Sequence, residues 1–186
     1  MKKIIVAITG ATGSLYVKQF LSFMEEAGVE VHGIISSAGR QVLSLEENMT
    51  AEELLGVTQW FAEDNFAAPM ASGSSSYDAM VVLPCTMGSL AAIANGLSLN
   101  LIHRTADVML KERKPLVLAV RETPLNRNHL ENMLKAHDAG AVICPPMPAF
   151  YHKPETISDL AFHFAARLAA QIGITVPGMN RWQGLS

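Results

Sequence analysis

The chain has 186 residues, enough for one domain with a sizeable core. A formal net charge of −3 without a basic stripe argues against nucleic acid as the main partner. Only 17% of residues are charged against 49% hydrophobic, which implies that part of the surface is buried between subunits. The two N-terminal lysines lead into a short apolar run that ends in Gly-Ala-Thr-Gly, a buried strand rather than a signal peptide. No apolar stretch is long enough to span a membrane. From there the chain alternates. Strand-like runs at 4–9, 29–36, 80–85, 116–120 and 141–144 are separated or followed by helical patterns at 15–27, 39–47, 89–111 (interrupted near Gly96), 128–139 and 157–172. Such alternation predicts a parallel sheet covered on both faces, a single doubly wound α/β domain over residues 1–186. The last residues, 174–186, carry Pro177, Gly178 and Gly184 and read as an extended arm. Cys85 and Cys144 each end an apolar run in no metal-ligand spacing, and read as small buried residues of a protein in the reducing cytoplasm.

In sheets of this kind ligands bind at the carboxyl ends of the strands, so the turns there carry the chemistry. The first is Gly10-Ala11-Thr12-Gly13-Ser14, which is neither the G-x-G-x-x-G of a dinucleotide fold nor a P-loop. The second strand ends at Ser36 and Ser37, without the acidic residue that would hold the ribose of NAD. One glycine turn is as compatible with a structural role as with a ligand. Two further strand ends add to it. "LPCTMGSL" offers the hydroxyls of Thr86 and Ser89 at a helix start, and "VRETP" places Arg121 and Glu122 at the same edge. Together they suit one phosphate ester beside a flat ring system, a mononucleotide such as FMN.

Other charges stand apart. Arg104 and Lys111, seven residues apart, share one helical face, which is either a solvated surface or a cationic site. Tyr151 in "PAFYHKP" and Arg167 in "AARLAAQ" are equally open, while His129 and His152 read as structural.

The stretches "TGATGS", "ASGSSSYDAMVVLPCTMGSLAAIANG", "NLIHRTADVMLKERKPLVLAVRETPLNRNHLENML", "GAVICPPMPAFYHKPETISDL" and "RWQG" cover nearly the whole chain. They resemble the UbiX-type flavin prenyltransferases, once called phenylacrylic or polyprenyl-hydroxybenzoate decarboxylases. The resemblance implies a Rossmann-like flavoprotein fold and a reaction in which a dimethylallyl group passes from dimethylallyl phosphate to N5 and C6 of reduced FMN. The product, prenylated FMN, serves a UbiD-type decarboxylase. It also implies a homododecamer with sites at subunit interfaces. Magnesium is not implied: no Asp-rich diphosphate motif occurs, and cationic side chains can hold a monophosphate leaving group. By resemblance, Gly10, Ala11 and Thr12 form the first flavin turn, Ser36 the second, and Thr86, Met87, Gly88 and Ser89 the third. Arg104, Lys111, Arg121, Tyr151 and Arg167 match the phosphate-holding set, with Arg121 also at the flavin end. Glu122 matches a proton shuttle between flavin and departing phosphate, and Glu46 a second acid lining the site.

Two positions depart from the pattern. Thr12 stands where many relatives have serine, and Phe66 where some place a tryptophan over the prenyl pocket, the better face for an allylic cation. Two rivals are weighed. A flavin-dependent cysteine decarboxylase would need a histidine between the second and third strands and a P-x-M-N-x-x-M-W motif, and this chain has no histidine between His32 and His103. A non-catalytic FMN-binding partner of a decarboxylase would have no use for Lys111, Glu122, Tyr151 and Arg167.

Overall fold

The protein is described as a computed structural model in which residues 1–179, Trp182 and Gly184 are placed. Arg181 and Gln183 of the terminal "RWQG" stretch, and with them part of the expected arm, lie outside the described residues. Six parallel strands form one sheet in the order β3-β2-β1-β4-β5-β6. They are β1 (Lys3–Ile8), β2 (Glu30–Ile35), β3 (Gln59–Phe61), β4 (Ala79–Cys85), β5 (Leu116–Val120) and β6 (Val142–Ile143). The helices are α1 (Ser14–Glu26), α2 (Ser37–Glu47), α3 (Met87–Ala94), α4 (Leu101–Lys111), α5 (Arg127–Asp138) and α6 (Ile157–Gln171).

Alternate residues of β1 face two separate cores. Ile4, Val6 and Ile8 pack with Val17, Phe20 and Leu21 of α1 and with Phe164 and Leu168 of α6. Ile5 and Ala7 pack with Leu90 of α3, Ile102 and Met109 of α4, and Ala136 of α5. Because both faces are covered, β1, β2, β4 and β5 are buried almost without interruption and mostly apolar rather than alternating, which is the parallel-sheet signature.

Two details differ from the sequence expectation, and the interruption expected near Gly96 is a full break. The 89–111 pattern is two helices. Asn95 ends α3, Gly96 takes a left-handed φ of 67°, and Asn100 starts α4 by accepting the His103 N–H at 3.0 Å. β3 was not expected: it has three residues at the sheet edge, and only Phe61 is buried, too short for a periodic signal. Its Trp60 lies flat on Gly33 of β2, where an added Cβ would come within 2.5 Å of the ring. β6 has two residues because Pro145 and Pro146, which follow Cys144, have no N–H to extend the ladder.

The chain leaves β1 toward β2 on one side and β4 toward β5 on the other, so the order reverses between β1 and β4. A crevice at the carboxyl ends of those two strands is where doubly wound sheets receive ligands. The turns after β1 and β4 both open there.

Candidate active site

The β1–α1 turn runs from Thr9 to Gly13. Gly13 precedes α1 with φ 138°, a conformation that side-chain-bearing residues rarely adopt, and Gly10 has no room for a Cβ, which would stand 2.5 Å from that of Ala38. The turn is therefore pressed onto the start of α2. There Ser36 accepts the Gly39 N–H at 3.0 Å and donates its own N–H to the Ile8 carbonyl at 3.0 Å, holding the ends of β1 and β2 together.

Glu46, in the last turn of α2, folds back over this turn. Its carboxylate accepts the N–H groups of Gly13 (3.0 Å) and Ser14 (2.8 Å) and the Thr12 hydroxyl. Burial pushes the Glu46 carboxyl up, but the Thr12 hydroxyl and the two backbone N–H groups outweigh it and hold the group below its usual value. Two N–H groups at the start of α1, those of Gly13 and Ser14, are thus already satisfied by a side-chain anion. A group whose folded pKa is lowered contributes stability above its unfolded pKa and loses it as pH falls through the folded one. Glu46→Gln is therefore expected to cost about 0.5 kcal/mol at pH 7, solvent screening included. The difference from the parent should close on acidification below the ordinary carboxylate range. Thermal unfolding of both proteins from neutral to acid pH checks this, and a pH-independent difference would contradict it.

Across the crevice, Thr86 caps α3. Its hydroxyl accepts the Ser89 N–H at 3.2 Å and donates to the Ser89 hydroxyl at 3.1 Å. Met87 is half-buried, and Gly88 faces open space, with no atom within 4 Å of where a Cβ would stand. Among the described residues no carboxylate accepts a hydrogen bond from this helix start: the N–H groups and hydroxyls of Thr86–Ser89 form an open anion cradle, with Glu131 on the wall of the cavity beside it. The end of β5 is tied alongside, because the Arg121 N–H donates to the Cys85 carbonyl at 3.1 Å. Arg121 and Glu122 are both exposed there, and among the described residues the Glu122 side chain accepts the Thr123 N–H, at 2.9 Å. A cavity of about 400 Å³ borders Met87, Gly88, Asn126 and His129, and another of about 420 Å³ borders Thr12 and Glu46 with the apolar Leu15, Ile157 and Leu160.

One chain does not gather all the residues singled out in the sequence. Gly10, Ala11, Thr12, Ser36, Glu46, Thr86, Met87, Gly88, Ser89, Arg121 and Glu122 converge on the carboxyl edge. Tyr151, in the loop before α6, and Arg167, on α6, form a second group. The Tyr151 hydroxyl stands 3.2 Å from His163 Nε2, and Arg167 follows His163 by one helical turn. Arg104 and Lys111 form a third, on α4. Arg104 is held by Asp107 at 2.8 Å and donates to the Ala71 carbonyl at 3.0 Å, and Phe66 is half-exposed in the neighbouring loop. Lys111 pairs with Glu112 at the far end of α4. The α4 start is pinned at the carboxyl edge by the Leu101 N–H to Glu63 carbonyl bond, so Lys111 lies about 15 Å away, at the amino-terminal edge.

Four residues without a role in the sequence reading shape the site. Ser14 lends its N–H to Glu46, and Glu63 binds the Ser37 N–H (2.8 Å) and the Asn100 amide (3.3 Å). His163 meets Tyr151, and Thr9 bridges the two turns. Only Thr9 had a local signal, a hydroxyl closing an otherwise apolar strand. Cys85 is buried, which pushes its thiol up to about 12, and Cys144 is half-buried, so both stand as free thiols. Among the described residues no group of three or more His, Cys, Asp or Glu side chains is placed to hold a metal, and no helix is long and apolar enough to cross a membrane.

A doubly wound sheet with an anion cradle at its switch point defines a class, and the family model that matches residues 1–164 is described as Flavoprotein. A probable UbiX-like flavin prenyltransferase of Bacillus subtilis (strain 168) is 44% identical over 98% of this chain and 90% of its own length. Among solved structures, AnUbiX (PadA1) in complex with FMN and dimethylallyl pyrophosphate superposes with a TM-score of 0.96 at 40% identity, covering 100% of this chain and 99% of that one. A dodecameric FMN-dependent UbiX-like decarboxylase from Escherichia coli O157:H7 gives 0.94 at 41%, over 98% of this chain and 100% of the other. The chain belongs to the UbiX flavin prenyltransferase family of flavoproteins. That membership sets aside both the cysteine decarboxylase and the non-catalytic flavin partner.

Proposed function

We propose that the protein is a metal-independent flavin prenyltransferase that joins the dimethylallyl group of a dimethylallyl phosphate ester to N5 and C6 of reduced FMN, supplying prenylated FMN to a UbiD-type decarboxylase. The observation that carries this is the open Thr86–Ser89 cradle at the switch point with Arg121 and Glu122 beside it. The donor set fits FMN. It offers hydroxyls and N–H groups for one phosphate and one guanidinium beside them. Reduced FMN supplies the nucleophilic nitrogen and carbon.

This chain's residues then divide the work. Thr86, Ser89 and Arg121 hold and orient the flavin, with Gly10, Ala11, Thr12, Ser36, Met87 and Gly88 shaping its surroundings. Arg104, Lys111, Tyr151 and Arg167 hold the donor phosphate and stabilise charge as it departs. Glu122 carries a proton between acceptor and leaving group, Glu46 fixes the Thr12 turn, and Phe66 contributes an aromatic face to the prenyl pocket. Since Lys111 lies at the amino-terminal edge of the sheet, away from Glu122 of the same chain, a neighbouring subunit completes the site. Exposed Leu97, Leu99, Leu130, Leu134 and Phe150 offer apolar area for such contacts. The whole chain acts as one flavin-binding unit, and its two free thiols support a cytoplasmic setting.

Mass spectrometry of the flavin released after anaerobic incubation with FMN, reductant and dimethylallyl phosphate tests the reading. A prenyl-sized mass gain supports it, and unchanged FMN refutes it. Because side-chain cations hold the leaving group, exhaustive chelation is expected to leave turnover unchanged. Loss of activity in EDTA with recovery on adding magnesium would contradict that assignment.

A further inference from the structure

We propose that Thr9 is a positioning residue for the flavin-phosphate cradle, a buckle that sets Thr86 and Ser89 from the opposite side of the switch point. The backbone ladder between β1 and β4 runs from Ile4↔Ala79 to Ala7↔Val82 and then stops. Pro84, two residues on, has no N–H, and the pairing of β4 with β5 is irregular between Val82 and Cys85. At this level the main chain cannot fix β4 against β1 by a regular ladder. Thr9 does it instead. Its N–H donates to the Pro84 carbonyl at 3.2 Å, and its hydroxyl donates to the same carbonyl at 2.8 Å. The hydroxyl oxygen then accepts the Thr86 N–H at 2.9 Å.

The hydroxyl therefore uses its proton on one side of Pro84 and its lone pair on the other, so its orientation is fully determined. Thr9 is 2% exposed, which leaves no room for solvent to replace either bond. Thr86 is the residue whose side chain caps α3 and binds Ser89. The chain of bonds thus runs from β1 through Thr9 to the Thr86 backbone, and from the Thr86 hydroxyl to Ser89. Without it the cradle would be tied to β5, through the Arg121 N–H to Cys85 carbonyl bond, but not to β1 through Thr86. The hydroxyl is buried, and its partners are the Pro84 carbonyl and the Thr86 N–H. It acts through Thr86.

The inference rests on the flavin assignment above, and the test separates the two. Thr9→Val keeps the side-chain volume and removes the hydroxyl, Thr9→Ser keeps the hydroxyl, and Thr9→Ala leaves space for a water beside the Thr86 N–H should the valine variant fail to fold. For each, the dissociation constants of FMN and of riboflavin, which lacks the phosphate, are measured by flavin fluorescence at a temperature where the protein is folded. FMN binding is expected to weaken about tenfold in Thr9→Val and in the same direction, by less, in Thr9→Ala. Thr9→Ser should restore parental affinity, and riboflavin binding should be unchanged throughout. Equal loss of FMN and riboflavin affinity would reduce Thr9 to a structural residue, and unchanged FMN affinity would overturn the inference while leaving the flavin assignment standing. A parent protein that binds no FMN would overturn the assignment, and the inference with it.

Discussion

Glu122→Gln is expected to lower product formation by about 10²-fold or more while FMN occupancy and donor affinity stay near parental. The side chain projects from the end of β5, exposed, and its one hydrogen bond among those described is accepted from the Thr123 N–H. A glutamine oxygen can accept that same bond, so the turn keeps its shape. Arg121, which also sits at this edge, is fixed by its backbone N–H to the Cys85 carbonyl and does not depend on the Glu122 carboxylate. What glutamine cannot do is take up and release a proton. The substitution therefore isolates proton transfer from binding, and the expected pattern is a fall in single-turnover rate with little change in affinity. Flavin occupancy, donor affinity and single-turnover rate on the purified variant check it. A variant that turns over at the parental rate would leave Glu122 as a strand-end residue without a chemical role.

Lys111→Ala is expected to weaken donor binding and slow turnover, by about 10²-fold in the combined constant. The fold should not suffer, since the lost partner is Glu112, in a surface ion pair of little net stability. The location of Lys111 makes a sharper test. It stands at the amino-terminal edge, whereas Glu122 follows the carboxyl end of β5, so the five residues of that strand, about 17 Å, separate the two ends. If Lys111 works at a site containing Glu122, that Glu122 belongs to a neighbouring subunit. Co-expressed Lys111→Ala and Glu122→Gln chains should then form oligomers in which some sites carry both native residues. Activity well above that of either variant alone is expected. Mixed oligomers no more active than the variants would remove Lys111 from the shared site.

Much of the fold was legible locally. β5 matches its expected bounds, and β1, β2 and β4 fall within a residue of theirs at each end, because strands buried on both faces must be apolar throughout. The structure adds the caps at the helix starts, where Ser36, Asn126 and Thr156 accept N–H groups of the first turn. β3 carried no local mark. Three edge residues with one buried side chain give neither a run nor a period. The break between α3 and α4 was visible at Gly96, but its completion by Asn100 required knowing that a second helix begins there.

The site divides in the same way. By itself the sequence determined a doubly wound sheet and the turns at its strand ends, with Arg121 and Glu122 on that edge. These follow from short-range patterns, since a turn residue and a cap act within a few positions of themselves. Only the tertiary structure decided which of those groups are free to act. Glu46 reaches across 33 residues to the Gly13 N–H and closes the start of α1, leaving the start of α3 open. Thr9 reaches across 77 residues to the Thr86 N–H, and α4 carries Lys111 to the opposite edge of the sheet. Such pairings depend on strand order and helix direction, which bring distant residues together without leaving any local periodicity at either one.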